Sequence, residues 1–237
     1  MNEIQSLLAI FAHPDDESFR AGGTLALLAQ KGVQVWVLCA TRGELGIPSL
    51  CPQDAGEVRQ AELECACQVL DINPPIFLDY IDGTLAQVDV DHAVAQVVHV
   101  IRKLRPQALL TWSTSGVSGH SDHIAVSHWT EKAAQLAADP ATCPGDEKAA
   151  HEIDTMYHIV VPRSLAEKMD MPNLLTVPDD AVTHAVDVSA AWDKKMAAIR
   201  CHESQLSSSP ITSDSLERQH LFLGIEYFQQ VKVKRDI

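Results

Sequence analysis

Short apolar runs of roughly five to eight residues alternate along this chain with amphipathic stretches of roughly ten to eighteen, and that rhythm restricts the fold more than any other feature. A run such as Leu7-Leu8-Ala9-Ile10-Phe11-Ala12 has no polar face, so it suits a strand covered on both sides. The periodicity predicts strands over 5–12, 33–41, 75–78 and 107–112, with helices over 21–31, 55–70, 88–104 and 122–138. In the second helix Val58, Ala61, Leu63, Ala66 and Val69 recur at helical spacing, and Pro74-Pro75 follows as a stop. Gly32 stands where the first helix needs a C-terminal cap. Beyond 139 the pattern loosens into a polar loop over 139–151, strands over 155–161 and 182–188, a helix over 190–201 and a last helix over 215–231. Strands alternating with helices indicate βαβ units and a mostly parallel sheet. Right-handed crossovers then carry the strand-to-helix loops to one edge of that sheet. No repeat, low-complexity tract or linker divides the sequence, so 1–237 reads as one domain, with the βαβ core in 1–138 and a completing part in 139–237.

The chain of 237 residues is long enough to bury a sizeable core. Its 18 basic and 32 acidic residues give a net charge of −14, which argues against unaided binding to nucleic acid or to an anionic membrane. No apolar run approaches the roughly 20 residues of a membrane-spanning helix. The opening MNEIQSLLAIFAHPDDE lacks the cationic segment of a secretory leader, so the expected compartment is cytoplasmic. Cysteines at 39, 51, 65, 67, 143 and 201 form no C-x-x-C pair, and a chain with its own core needs no disulfides; all six are expected to be free thiols. Cys65 and Cys67, two apart on a helix, should point to different faces.

Two histidine motifs carry the chemistry. Ala12-His13-Pro14-Asp15-Asp16-Glu17 follows the first strand, and its three acids repel one another unless a cation sits among them. A divalent metal meets that need, because imidazole and carboxylate both bind zinc. Pro14 biases His13 towards an extended backbone. An acidic first helical turn would account for the carboxylates through capping and the helix dipole, but not for the histidine. Gly119-His120-Ser121-Asp122-His123 follows the fourth strand, with Ser121 expected to cap the next helix and His123 in its first turn. If strands 1 and 4 are neighbours across the switch point of a doubly wound sheet, both motifs face one crevice. His13, Asp16 and His123 would then make a three-ligand site that keeps a position open for water. Gly116-Val117-Ser118-Gly119-His120 lacks the spacing of a serine-hydrolase elbow, and no G-x-G-x-x-G follows the first strand.

Together the two motifs resemble the PIG-L/LmbE-like zinc-dependent N-acetylglucosaminyl deacetylases. The likeness covers most of the chain. Gly22-Gly23-Thr24-Leu25, Thr41-Arg42-Gly43-Glu44-Leu45-Gly46, Arg59-Gln60-Ala61-Glu62-Leu63, Asp79-Tyr80-Ile81-Asp82-Gly83 and Lys195 through His202-Glu203-Ser204-Gln205 are similar to family segments. The resemblance implies an α/β, Rossmann-like three-layer domain with its active site at the C-terminal edge of the strands. It implies a hydrolase that removes acetyl from an N-acetylglucosamine-type sugar or its conjugate, with zinc, or Fe(II) or another divalent ion, held by His13, Asp16 and His123. Asp15 is then the general base, and His120, if protonated and with its charge tuned by Asp122, could steady the oxyanion or protonate the leaving amine. Glu44, Arg59, Asp82 and His202 are implied as substrate contacts; from the residues alone, Arg59 could equally be ion-paired to Glu62 or Asp82, and His202 could serve a helix terminus.

Three positions depart from the family pattern. Arg20 replaces a small residue and could favour an anionic substrate or lie outside the pocket, Ser121 replaces a frequent proline, and Ser118 stands where several relatives carry an aromatic. Implied partners are a small N-acetylated sugar, neither nucleic acid nor membrane, with room for a homo-oligomer. Two other chemistries fit parts of the pattern: an amidase for a different N-acyl or thiol-conjugate substrate, and a 2-His-1-carboxylate Fe(II) oxygenase. The extra Asp15 and His120 favour hydrolysis over the latter, as does a βαβ scaffold.

Overall fold

Alternate residues of the first strand face opposite layers. Leu7, Ala9 and Phe11 join one core cluster, and Leu8, Ile10 and Ala12 the other. Such a strand has to lie inside a sheet with helices on both faces, and it does. The structure, a computed structural model, describes residues 4–142 and 149–233. Its strands are β1 (Ser6–Phe11), β2 (Gln34–Thr41), β3 (Ile76–Tyr80), β4 (Ala108–Trp112), β5 (Thr155–Ile159), β6 (His184–Asp187) and β7 (Ile225–Val231). They form one seven-stranded sheet in the order β3-β2-β1-β4-β5-β7-β6. The helices are α1 (Asp16–Arg20), α2 (Gly22–Gln30), α3 (Pro52–Val69), α4 (Val90–Leu104), α5 (Gly116–Gly119), α6 (Ser121–Leu136), α7 (Arg163–Met169), α8 (Trp192–Cys201), α9 (Glu203–Leu206) and α10 (Leu216–Leu223). Residues of α2, α3 and α8 pack in the layer that holds Phe11, and residues of α4 and α6 in the layer that holds Ile10. Each fully buried Leu, Ile or Val contributes about 1.5–3 kcal/mol, so both layers are needed to hold the central strands.

Helix ends follow their sequence signals. At the end of α2, the Val33 N–H donates to Leu28 O at 3.1 Å and the Gly32 N–H to Ala29 O at 2.9 Å, with Gly32 at φ 81°. This double bond pattern needs the left-handed backbone that glycine adopts without strain. Asp89 caps α4 by accepting from the Asp91 and His92 N–H groups at 3.0 and 3.1 Å.

β1 pairs in parallel with β2 on one side and β4 on the other. The strand order therefore reverses between β1 and β4, and the two histidine motifs emerge on either side of that switch point.

The C-terminal part departs from expectation. A single helix over 215–231 is replaced by α10, a cap at Gly224, and β7, which runs antiparallel between β5 and β6. Strand alternation was hidden because, of the two buried positions of β7, only Phe228 is apolar and the other is Glu226, a buried charge. The short helix α7 also lies in a stretch that carried no helical signal. Residues 143–148 of the polar loop lie outside the described residues.

The free-thiol reading is corrected for two cysteines. Cys65 near the end of α3 and Cys201 at the end of α8 form a disulfide with a Cα–Cα distance of 5.8 Å. Their separation of 136 residues gave no local signal; the packing of α3 against α8 brings them together. Cys39, Cys51 and Cys67 are free, and Cys143 lies outside the described residues. Cys67 is buried and Cys65 exposed, as their spacing required. No helix among the described residues is long and apolar enough to cross a membrane.

Candidate active site

The end of β1 sets the first half of the site. After His13-Pro14 the chain turns sharply, and Asp15 takes φ 110°, a conformation few L-residues adopt without external support. That support is visible. The Asp15 N–H donates to Glu17 Oε2 at 3.1 Å, and Arg59 donates to Pro14 O at 2.5 Å and to Asp15 Oδ2 at 3.2 Å. Arg59 reaches the turn because Gly43 has no side chain: a Cβ there would fall on the guanidinium. Arg59 also donates to Gly43 O at 3.1 Å and lies 3.8 Å from Asp82 Oδ2. Its ion pairs are thus to Asp15 and Asp82. Glu62, the other partner considered, instead accepts from the Ser204 N–H and hydroxyl, both at 2.7 Å.

Asp16 is oriented by three donors on one oxygen. Oδ2 accepts from the backbone N–H groups of Ala12 and His13, each at 3.1 Å, and from Trp112 Nε1 at 3.2 Å. Oδ1 is left facing His123 Nε2 at 3.3 Å. The His123 ring stacks on Trp112 at 4.3 Å with an interplanar angle of 5°, and its Nδ1 donates to Gly116 O at 3.2 Å. His13 is fixed likewise: Nε2 bonds Asp82 Oδ1 at 3.1 Å and Asp122 Oδ2 at 3.2 Å, while Nδ1 lies 4.0 Å from Asp16 Oδ2. Each histidine therefore has one nitrogen tied to an oxygen and the other turned towards Asp16, the arrangement that prepares imidazole for a metal.

One ligand atom from each of His13, Asp16 and His123 lies within 4.8 Å of the others, and the same holds for His13, His120 and Asp122. The second trio is otherwise engaged. Asp122 is fully buried and accepts from the Gly83 N–H at 2.7 Å and the Leu85 N–H at 3.2 Å, and His120 Nδ1 accepts the Asp122 N–H at 3.2 Å. The N-cap of α6 is therefore His120, not Ser121 as expected; Ser121 already lies in the first helical turn.

The electrostatics fit a cation at the first trio. Burial opposes a charge on His13, yet its bonds to Asp122 and Asp82 and the field of Asp16 carry its pKa up to about 10. Burial also opposes ionisation of Asp16, but His123 and His13 hold its carboxyl well below the usual range. A protonated histidine here is the proton's answer to a cluster of carboxylates, and two nitrogens plus one carboxylate oxygen are the donor set of zinc or Fe(II). Asp15, with 24% of its side chain open, is pushed up to about 7 by burial and by Asp16, against the pull of Arg59 and His202. His120, exposed at the mouth, is lowered from its ordinary value by desolvation and by the neighbouring His13 and His123.

The expected substrate contacts separate into two groups. Glu44 and Asp82 hold the loops after β2 and β3 together: Glu44 Oε2 accepts the Asp82 N–H at 3.1 Å, and Asp82 Oδ2 the Leu45 N–H at 3.2 Å. With Arg59 they adjoin Asp15 and His13. His202 lies deeper, fully buried, with Nε2 2.7 Å from Glu17 Oε1. Arg20 lies over the Phe222 ring at 4.3 Å, where the Glu226 charge acts on it, not among the site residues. Sequence reasoning passed over Trp112, which both orients Asp16 and backs His123. Its place at the end of β4, on the edge that carries both motifs, was the available signal.

Residues 8–134 match the PIG-L family, described as GlcNAc-PI de-N-acetylase. The chain is 33% identical to a 1D-myo-inositol 2-acetamido-2-deoxy-alpha-D-glucopyranoside deacetylase of Geodermatophilus obscurus, covering 99% of this chain and 95% of that protein. It is 34% identical to the protein of the same name from Thermobispora bispora, over 94% and 86%. Among solved structures, N,N'-diacetylchitobiose deacetylase from Pyrococcus horikoshii shares the fold with a TM-score of 0.76 at 18% identity, over 97% of this chain and 85% of that one. A 4-carboxy-2-hydroxymuconate hydratase from Pseudomonas putida shares it at 0.72 and 22%, over 98% and 99%, so the fold by itself does not fix the chemistry.

Proposed function

The chain belongs to the PIG-L family, and on that premise we propose that it is a metal-dependent hydrolase that removes acetyl from an N-acetylglucosamine-type amino sugar or its conjugate, with residues 1–237 acting as one catalytic domain. The observation that carries this reading is Asp16: one oxygen is pinned by three N–H donors and the other faces His123, while the mostly buried carboxylate of Asp15 stands next in the chain, held by Arg59. His13, Asp16 and His123 would hold the ion, zinc first and Fe(II) as the substitute. When bound there, a divalent ion supplies Lewis acidity, polarising the amide carbonyl and making water acidic near neutral pH.

The remaining work falls to protein groups. Asp15 takes a proton from the attacking water and returns it to the amine nitrogen as the C–N bond breaks. The water's second proton stays on the new carboxyl group, so acetic acid and a free amine leave, and that proton passes to the amine or to solvent as the acid ionises. His120 accepts the Asp122 N–H at Nδ1, which places its proton on Nε2. With its pKa lowered it stays neutral near pH 7 and donates that N–H to the carbonyl oxygen as negative charge develops. Asp122 orients His13, and Glu44, Arg59 and Asp82 would meet the sugar hydroxyls. His202 supports the site through Glu17, whose other oxygen holds the Asp15 N–H.

The base must be ionised to act, so kcat/KM is expected to fall as pH drops through the Asp15 pKa. Arg59 lowers that pKa. Arg59→Met should therefore move the acidic limb of the pH profile to higher pH, and a limb that stays put or moves down counts against the pairing. The reading as a whole is tested by amine release from a panel of N-acetylated amino sugars and glucosaminyl conjugates, with zinc and with Fe(II). Release from at least one N-acetylglucosamine derivative is expected; release only from larger N-acyl substrates would make the chain a different amidase.

A further inference from the structure

Three aliphatic side chains stand open to solvent on the segments that frame the site. Leu45 is 57% exposed, Ile81 52% and Leu175 46%, and none has a part in the chemistry above. Leu45 follows Glu44 in the loop after β2, and a side-chain carbon on Gly83 would lie 3.2 Å from its Cδ1. Ile81 immediately precedes Asp82 in the loop after β3. Leu175, between α7 and β6, donates its N–H to Val117 O at 2.6 Å, and its Cδ1 would lie 3.5 Å from a side-chain carbon on Gly119, the residue before His120. The sheet order puts the loops after β2 and β3 on one side of the β1/β4 crevice and the loop after β4, with Leu175 against it, on the other. Scattered exposed leucines are ordinary; three on both sides of one polar cleft supply an apolar mouth.

The charges nearby disfavour the alternative of an anion. Arg59 is engaged by Asp15, Asp82 and two carbonyl oxygens. Arg42 pairs with Asp79 and Gln60 and lies over the Phe77 ring. Arg20 lies over Phe222, not among the site residues, and the Arg163 charge acts on Asp179. Among the described residues, the loops that frame the site therefore offer a phosphate no unengaged cation, while the carboxylates there would repel it.

Resting on the deacetylase reading, we infer that the aglycone of the substrate is uncharged and apolar, an alkyl or aryl group seated against Leu45, Ile81 and Leu175. The test compares kcat/KM of the zinc-loaded enzyme for the methyl and hexyl glycosides of N-acetylglucosamine and for N-acetylglucosamine 1-phosphate. The hexyl glycoside should exceed the methyl by about tenfold or more, since a single methylene in an apolar pocket is worth that order. The 1-phosphate should be the poorest of the three. Leu45→Ser and Leu175→Ser should bring the hexyl-to-methyl ratio towards one, mainly through KM. Equal values for the two glycosides, a ratio unmoved by both variants, or a preference for the 1-phosphate would overturn the apolar mouth and leave deacetylation standing. Release from none of the three while other N-acetylglucosamine derivatives are hydrolysed would overturn this inference alone, and release from no N-acetylglucosamine derivative would remove the deacetylase reading with it.

Discussion

Asp15→Asn is expected to retain the bound metal and lose about 10²–10⁴-fold in kcat, the usual worth of a general base. The two halves of that expectation rest on separate features. In the proposed site metal affinity would belong to His13, Asp16 and His123, whose second atoms are fixed by Asp82, Asp122, Gly116 and Trp112, and Asp15 is not among them. Asparagine is nearly isosteric and can still accept from Arg59, so the strained turn at φ 110° keeps its main support from Arg59 and Glu17. What the amide lacks is a group that takes a proton from water at neutral pH. Turnover near wild type, with metal content unchanged, would remove Asp15 from the mechanism.

Lys195→Met should destabilise the fold by about 3–5 kcal/mol, the range for stranding one partner of a buried ion pair. Lys195 and Glu226 are 1% and 2% exposed in their side chains and 2.7 Å apart. Lys195 also donates to Leu223 O at 2.7 Å, and Glu226 accepts the Gly23 and Thr24 N–H groups at 2.9 and 2.7 Å, at the N-terminus of α2. Without the ammonium, the Glu226 carboxylate keeps those two N–H donors, the helix dipole and the field of Arg20, and no cation bonded to it directly. Methionine fills the volume, so the loss reports charge and not a cavity. Adding Glu226→Gln should recover part of it, because the stranded charge goes too. Chemical denaturation of the single and double variants measures this, and a loss under about 1 kcal/mol in Lys195→Met would mean that the pair is not buried as described.

The same pair marks where the sequence was hard to read. β1, β2 and β4 were legible because strands covered on both faces are apolar throughout, and α4 and α6 because their apolar stripes face one layer. β7 was not, since one of its two buried positions is filled by Glu226, whose partner lies 31 residues away. The disulfide was invisible for a related reason: Cys65 and Cys201 are neighbours only after α3 and α8 pack. Both histidine motifs could be found because each is contiguous and each follows a strand. Their meeting depended on β1 pairing with β4, which a doubly wound strand order would give and only the sheet establishes. The details that orient the groups, such as Trp112 on Asp16 and His123, Asp82 on His13 and Arg59 under Asp15, join distant loops and have no local pattern.

The central claim is that deacetylation depends on an ion held by His13, Asp16 and His123. It is tested most directly by titrating zinc into chelator-stripped protein while bound metal and amine release are read on the same samples, for the wild type and for His123→Ala. The account predicts that release is lost on stripping and returns in proportion to the first equivalent of metal, and that His123→Ala neither retains the ion nor releases amine. Release that survives stripping, or that persists in metal-free His123→Ala, would contradict it.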